Sequence, residues 1–370
     1  MVIKTICKFF LLLITLFGAA YADDFVLEER NNNSSYLEKL NPDDVELSKI
    51  FSADIRRDEN FLKAIDSSIN FYASILGTDQ LFSYANEEYT PLQMLHSLIM
   101  FRKMATADRP FDEFLLELQE RFDLYTPKNQ TSGSKFTGYY TPEIPASVVK
   151  TRDFNQPLYL SKTKIKSQKA DFYVQATNDI KVLVMEGAGI LALKDGQTFN
   201  IQYAGKKKVV LAPIKQKVKL AKKSSKKTLA KAKLKPKVSS KAVFYITQSK
   251  ALGSISTELV PGYSAAMDMS LTPAGSLIYV KGEDKNDTNA NQVVAANEEP
   301  KKEKKSAFES FMLVHDIGQA IKGLGRVDIY CGEGKTAKSC TYDVSTTKGL
   351  VYLLIAKKNA LLDFLPQGIR

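Results

Sequence analysis

Three apolar stripes at helical spacing dominate the N-terminal third of the chain. Phe61, Ile65, Ile69 and Tyr72 share one face at a period of about 3.6 residues. Thr90 followed by Pro91 reads as an N-cap and first-turn pair, opening a helix through Leu95, Leu98, Ile99 and Phe101 toward Met104. Phe111, Phe114, Leu115, Leu118 and Phe122 form the third stripe. Each predicts a helix that packs one face against a core. From Lys135 the pattern changes to short β-prone runs broken by Gly, Pro and Asn-Asp: Phe136 to Tyr140, Lys181 to Met185, Gly189 to Leu193, Phe199 to Tyr203, Val243 to Thr247, Ser276 to Lys281, Phe311 to His315, Val327 to Tyr330 and Leu350 to Ile355. Asp195-Gly196 carries a hairpin signal between two of them. Many short strands without alternating helices predict a mainly β chain of barrels or sandwiches, preceded by helices.

Low-complexity stretches interrupt this pattern. Residues 23–45 are polar and Asn-rich and read as a disordered linker. Residues 206–241 hold 15 lysines and no acid, and 282–306 are of mixed charge with few apolar residues; both read as solvated loops. The +11 net charge of the 370-residue chain therefore belongs to one segment, and the remainder is net −4 once those 15 lysines are set aside. Lysine clusters can neutralise nucleic-acid phosphates, but the tract lacks interleaved aromatics, so no nucleic-acid partner is expected. Attachment to anionic envelope material is the alternative to a merely solvated loop.

Residues 1–22 have two lysines near the start, an apolar run Phe9 to Phe17, and Ala20-Tyr21-Ala22 before Asp23, the form of a secretory signal peptide cleaved after Ala22. The expected location is outside the cytoplasm, in the periplasm or associated with the outer membrane. Cys7 precedes the apolar run and would be removed with it, leaving Cys331 and Cys340, which a disulfide or two reduced thiols would equally explain. With only His96 and His315, no metal-ligand spacing occurs, and neither a metal nor a cofactor is expected.

Chemistry concentrates in three aspartates. Asp268, Asp316 and Asp328 each adjoin β-formers, and Gly318, Gly323 and Gly325 lie between the last two with Lys322 and Arg326. Apolar surroundings raise a carboxyl pKa and nearby cations lower it. Asp316 beside His315 reads as a supporting group and Asp328 between Val327 and Ile329 as a proton donor, though the residues alone leave that division open. Tyr139 and Tyr140 precede Thr141-Pro142; tyrosines at a cleft edge offer sugars an apolar face and a hydroxyl, while at least one of the pair must pack in a core.

Gly138-Tyr139-Tyr140-Thr141-Pro142, Met185-Glu186-Gly187-Ala188-Gly189, Ile201-Gln202-Tyr203-Ala204-Gly205 and the block from Asp268 to Asp328 occur in the order found in the membrane-bound lytic transglycosylase A family, which the chain resembles over residues 135–355. The C-terminal part resembles that family's 3D domain, named for three aspartates. The resemblance implies a double-psi β-barrel domain with an inserted smaller β-barrel domain and a glycan groove between them. Residues 46–145 would then form the helical N-terminal part of the first domain, 146–250 the inserted domain, and 251–370 the rest of the barrel. It implies cleavage of the β-1,4 bond between N-acetylmuramic acid and N-acetylglucosamine in peptidoglycan. Asp328 would protonate the glycosidic oxygen and then accept the proton of the muramoyl C6 hydroxyl, giving a 1,6-anhydro product. Asp316 would support it catalytically, and Tyr139, Tyr140, Thr141, Gly187, Gly189, Asp268 and Lys322 would contact peptidoglycan glycan strands. The chain departs from the family at Met185 to Gly189, at Gln319 where a second glycine is usual, and at Met269 where proline is common. The competing readings are a non-catalytic glycan-binding module on the same barrel, as in expansin-like proteins, and a hydrolase pairing Asp328 with Asp316 as base.

Overall fold

The computed structural model describes residues 36–41, 47–128, 133–167, 169–211, 237–283, 306–318, 321–323, 325–345 and 349–361. The signal peptide, Cys7, Gln319 and the interiors of both charged segments lie outside these residues. Within the described residues no helix is long and apolar enough to cross a membrane.

The chain begins with β1 (Leu37–Lys39), α1 (Leu47–Ile50), α2 (Glu59–Ser74), β2 (Phe82–Tyr84), β3 (Glu87–Tyr89), α3 (Pro91–Thr106) and α4 (Phe111–Arg121). Local chemistry fixes the helix starts. Asp58 accepts from the Asn60 and Phe61 amides ahead of α2, and Thr90 with Gln93 closes a reciprocal cap at α3. The three apolar stripes face the core from α2, α3 and α4, as their spacing predicts, except that Phe122, the last residue of the third stripe, packs from β4.

Next come β4 (Phe122–Pro127) and β5 (Lys135–Thr141), and after an excursion the chain returns through β12 (Ser264–Ala266), β13 (Leu277–Glu283), β14 (Ser306–Asp316), β15 (Arg326–Glu333), α7 (Gly334–Asp343), β16 (Gly349–Ala356) and α8 (Lys358–Leu361). Eight strands in the order β1-β4-β16-β13-β14-β12-β15-β5 form a nearly closed barrel sheet. The excursion supplies β6 (Glu143–Ser147), β7 (Gln156–Leu158), α5 (Lys162–Ser167), β8 (Phe172–Val174), α6 (Thr177–Glu186), β9 (Ala188–Leu193), β10 (Thr198–Leu211) and β11 (Lys237–Thr247). Its six strands form a separate sheet, β11-β10-β9-β6-β8-β7, over a core of its own that includes Leu158, Phe172, Leu183, Leu191 and Phe244. A barrel domain with an inserted β domain is thus the architecture.

Five sequence expectations change. Lys181 to Met185, read as a strand, lies in α6. A short apolar run cannot separate the two periods by itself. Here Asp179 receives the Ala176 amide at 2.8 Å, and Gly187, at φ +76°, supplies the left-handed residue that ends the helix. Within the expected linker 23–45, residues 37–39 form β1, with Leu37 buried opposite Pro127 at the sheet edge. Residues 46–145, expected to form the helical part of the first domain, also contribute β4 to the barrel, beside the strand β5 that the run Phe136 to Tyr140 predicts. Finally, the ends of the lysine tract are not loop: β10 pairs with β11 out to Leu211 opposite Lys237. In the second charged segment, Gly282 and Glu283 close β13 and Ser306 opens β14.

Cys331 on β15 and Cys340 on α7 form a disulfide with Cα atoms 5.8 Å apart. It holds α7 over β5, where a Cβ on Gly138 would lie 2.7 Å from the Thr341 Cα. Closing this nine-residue separation is worth roughly 2.5 kcal/mol by loop entropy. Cys340→Ser is expected to lower the denaturant midpoint accordingly, with reductant shifting the wild type but not the variant. Equal shifts in both proteins would contradict this role.

Candidate active site

β14, β12 and β15 lie side by side, and their register converges on one small residue. Ala266 pairs with Asp316 on one side and with Asp328 on the other. The two aspartates are therefore about two strand spacings apart, roughly 10 Å at Cα. Val327 and Ile329 are buried in the barrel core, so strand alternation turns Asp328 to the opposite face. That face floors a cavity of about 800 Å³ between the barrel and the inserted domain. Its walls include Tyr139, Thr141 and Tyr330 from the barrel, and Glu186, Gly187, Tyr203, Lys181 and Lys206 from the insertion.

The three aspartates have three different environments. Asp268 is buried and lies outside this cavity: one oxygen accepts from the Ser270 amide at 3.2 Å and hydroxyl at 2.6 Å, and the other from the Gly323 amide at 3.0 Å. Burial pushes its pKa up, but these donors and Lys322 outweigh it and the net shift is downward. Asp268 is an ionised clamp on the glycine loop. Asp316 accepts from the Ser254 amide at 3.0 Å and the Ile317 amide at 2.8 Å. Burial dominates and pushes its pKa up to about 6, so it is mostly ionised at neutral pH. Asp328 has a buried carboxyl oxygen, Oδ1, with no hydrogen-bond partner. Burial raises its pKa against the pull of Thr137 and Arg326. A buried carboxyl oxygen without donors favours the protonated acid.

Around this pair, the Thr141 hydroxyl and the Tyr330 hydroxyl lie 2.8 Å apart, and the Tyr139 and Tyr330 rings sit 5.3 Å apart at their centroids. The Tyr139 hydroxyl is buried without a hydrogen bond of sound geometry, and its pKa is raised by burial and by the charges of Asp316 and Asp328. Tyr140, Gly189 and Lys322 do not line the cavity. The Tyr140 amide donates to Glu186, Gly189 packs so closely that a Cβ would meet Leu183, and Lys322 is exposed near Asp268. His315 belongs to the core, its two ring nitrogens bonded to Ser68 at 3.0 Å and Ser264 at 2.8 Å, and burial brings its pKa down to about 3. No group of His, Cys, Asp and Glu among the described residues could hold a metal.

Glu186 was not singled out by its sequence. It ends α6, and one carboxyl oxygen accepts the Tyr140 amide at 3.2 Å. Burial, aided by the charge of Asp328, pushes its pKa up to about 7. The available signal was an acid immediately before a helix-ending glycine, where the helix dipole disfavours negative charge. Reading the run as a strand hid it.

The family model of the 3D domain matches residues 263–354, which contain Asp268, Asp316 and Asp328. No curated protein matches the chain. Among solved structures, it is similar to the membrane-bound lytic murein transglycosylase from Agrobacterium tumefaciens, at 14% identity over 88% of this chain and 98% of that one, TM-score 0.55. It is also similar to E. coli MltA with bound chitohexaose, at 18% identity over 87% and 95%, TM-score 0.56. A third is MltA from Neisseria gonorrhoeae, at 14% identity over 82% and 90%, TM-score 0.52. These likenesses define a class of fold, the barrel domain with an inserted domain. Joined to the family-model match, they show a chain that carries a 3D domain within that fold.

Proposed function

We propose that this chain is an exported lytic transglycosylase that cleaves the β-1,4 bond between N-acetylmuramic acid and N-acetylglucosamine, leaving a 1,6-anhydro end. The observation that carries the reading is Asp328, an acid with an unpartnered buried oxygen on the floor of a cleft between two domains. The fold and the 3D-domain match support it. In the first step, protonated Asp328 gives its proton to the glycosidic oxygen as the bond to C1 breaks. Positive charge develops on the muramoyl ring, and the amide-held Asp316 carboxylate supports it electrostatically. Asp328, now ionised, takes the proton of the C6 hydroxyl as that oxygen closes on C1, which restores the acid. An internal hydroxyl held close replaces both water and a second nucleophile. Incubation with purified sacculi is expected to release soluble anhydro-muropeptides, read by mass spectrometry. Tight sacculus binding with no release would instead identify a glycan-binding module.

The carboxyl trio gives the pH dependence a definite sign. Activity requires the Asp328 proton, so the rate falls as pH rises through its pKa. The charge on ionised Asp328 adds to burial in pushing the Glu186 pKa up to about 7, so Glu186 carries little negative charge below neutral pH. Glu186→Gln is therefore expected to leave the limb of kcat/KM that Asp328 sets nearly in place. A limb displaced by about one unit or more would show that Glu186 acts on the acid.

A further inference from the structure

We infer that Lys181 and Lys206 form a subsite for the peptide carboxylates carried by the glycan strand, an assignment that rests on the proposed activity. Both lysines line the same cavity as Asp328, Lys181 from α6 and Lys206 from β10. Both are exposed, and neither forms an ion pair among the described residues. Across the ladder Lys206 faces Ala242, and Ser240, two residues along the same face, also reaches the cavity. The inserted-domain wall thus presents two cationic heads and a hydroxyl, with the Glu186 carboxyl at the end of α6 that holds the Tyr140 amide.

The remainder of the hairpin reinforces this field. Lys207 is paired directly with Lys241, a like-charge opposition that costs a hairpin stability unless an anion offsets it. No described ion pair supplies that anion.

The location selects the ligand. The end of the cavity near the scissile bond carries the ionised Asp316 carboxylate with Asp328 and Glu186 beside it, acids that disfavour any further carboxylate entering there with the substrate. A ligand that fills this cleft and meets lysines at its wall must therefore carry its negative charge away from the scissile bond. On a peptidoglycan strand that charge sits on the peptides attached to the muramic acid residues. A lipid headgroup at a bilayer surface has no reason to enter between the two domains.

The test compares peptide-bearing glycan strands with strands stripped of peptide by an amidase. Binding is measured in an Asp328→Asn background, so it does not depend on turnover. The parent is expected to bind peptide-bearing strands roughly tenfold more tightly, and the preference is expected to shrink as salt rises. Adding Lys181→Gln and Lys206→Gln is expected to abolish the preference, and Lys206→Arg alone to retain it. An unchanged preference in the double-Gln protein overturns the subsite. So does a defect confined to sedimentation with phosphatidylglycerol vesicles. Failure of the wild type to release muropeptides would sink the catalytic reading separately, because the binding ratio is read without it.

Discussion

Asp328→Asn is expected to cut muropeptide release by on the order of 10²–10⁴-fold while leaving the thermal midpoint nearly unchanged. The amide is close in shape to the acid, so the strand register against Ala266 and Thr137 survives. On the proposed mechanism what disappears is the proton the reaction needs, since asparagine can neither donate it to the glycosidic oxygen nor recover it from the C6 hydroxyl. The other two aspartates differ in kind. Asp316 holds the Ser254 and Ile317 amides and Asp268 holds Ser270 and Gly323, so substituting either disturbs loops as well as charge. A kinetic comparison of folded variants on sacculi checks the ordering. An Asp328→Asn protein with wild-type turnover would remove Asp328 from the chemistry.

The second large effect concerns the helices that precede the barrel. Phe101 on α3 is fully buried and meets Phe61 of α2, Phe114 of α4, Phe122 of β4 and Phe311 of β14, with ring centroids 5.3 to 6.1 Å apart. It joins three helices to two barrel strands, one of which ends at Asp316. Phe101→Ala is expected to cost about 3–5 kcal/mol, because the cavity left behind adds to the lost transfer energy. Against a typical total of about 5–15 kcal/mol, that loss brings the protein near its unfolding threshold. Urea denaturation measures it directly. Leu116→Ala, on the exposed face of α4, is the control and is expected to stay within about 0.5 kcal/mol. Equal effects from the two substitutions would show that the helices are not part of the barrel's core.

Where one physical signal dominated, the sequence was readable. The apolar stripes of α2, α3 and α4 lie at one period and were buried as spaced, and the barrel strands around Tyr279, Phe311 and Leu353 were continuous β-formers. Where two signals competed, it was not. The run Lys181 to Met185 suits either a strand or a helix, and the Gly187 cap decides for the helix. Three-residue β1 is too short to show a period, and its partner lies some 90 positions onward in β4. At the site, single residues were legible and their relations were not. The three aspartates could be named, but their division into clamp, amide-held carboxylate and acid with one bare buried oxygen depends on backbone donors contributed by Gly323, Ser254 and Ile317. Glu186 reaches Tyr140 across the domain junction, a pairing no local pattern encodes.

The central claim is that the attacking group is the substrate's own hydroxyl and not water. The most direct measurement digests sacculi in water enriched in a heavy oxygen isotope and weighs the released muropeptides. Products with a 1,6-anhydro end and no heavy oxygen at C1 are what the single-acid mechanism at Asp328 predicts. Reducing-end products that carry the heavy oxygen at C1 would contradict it and make the enzyme a hydrolase.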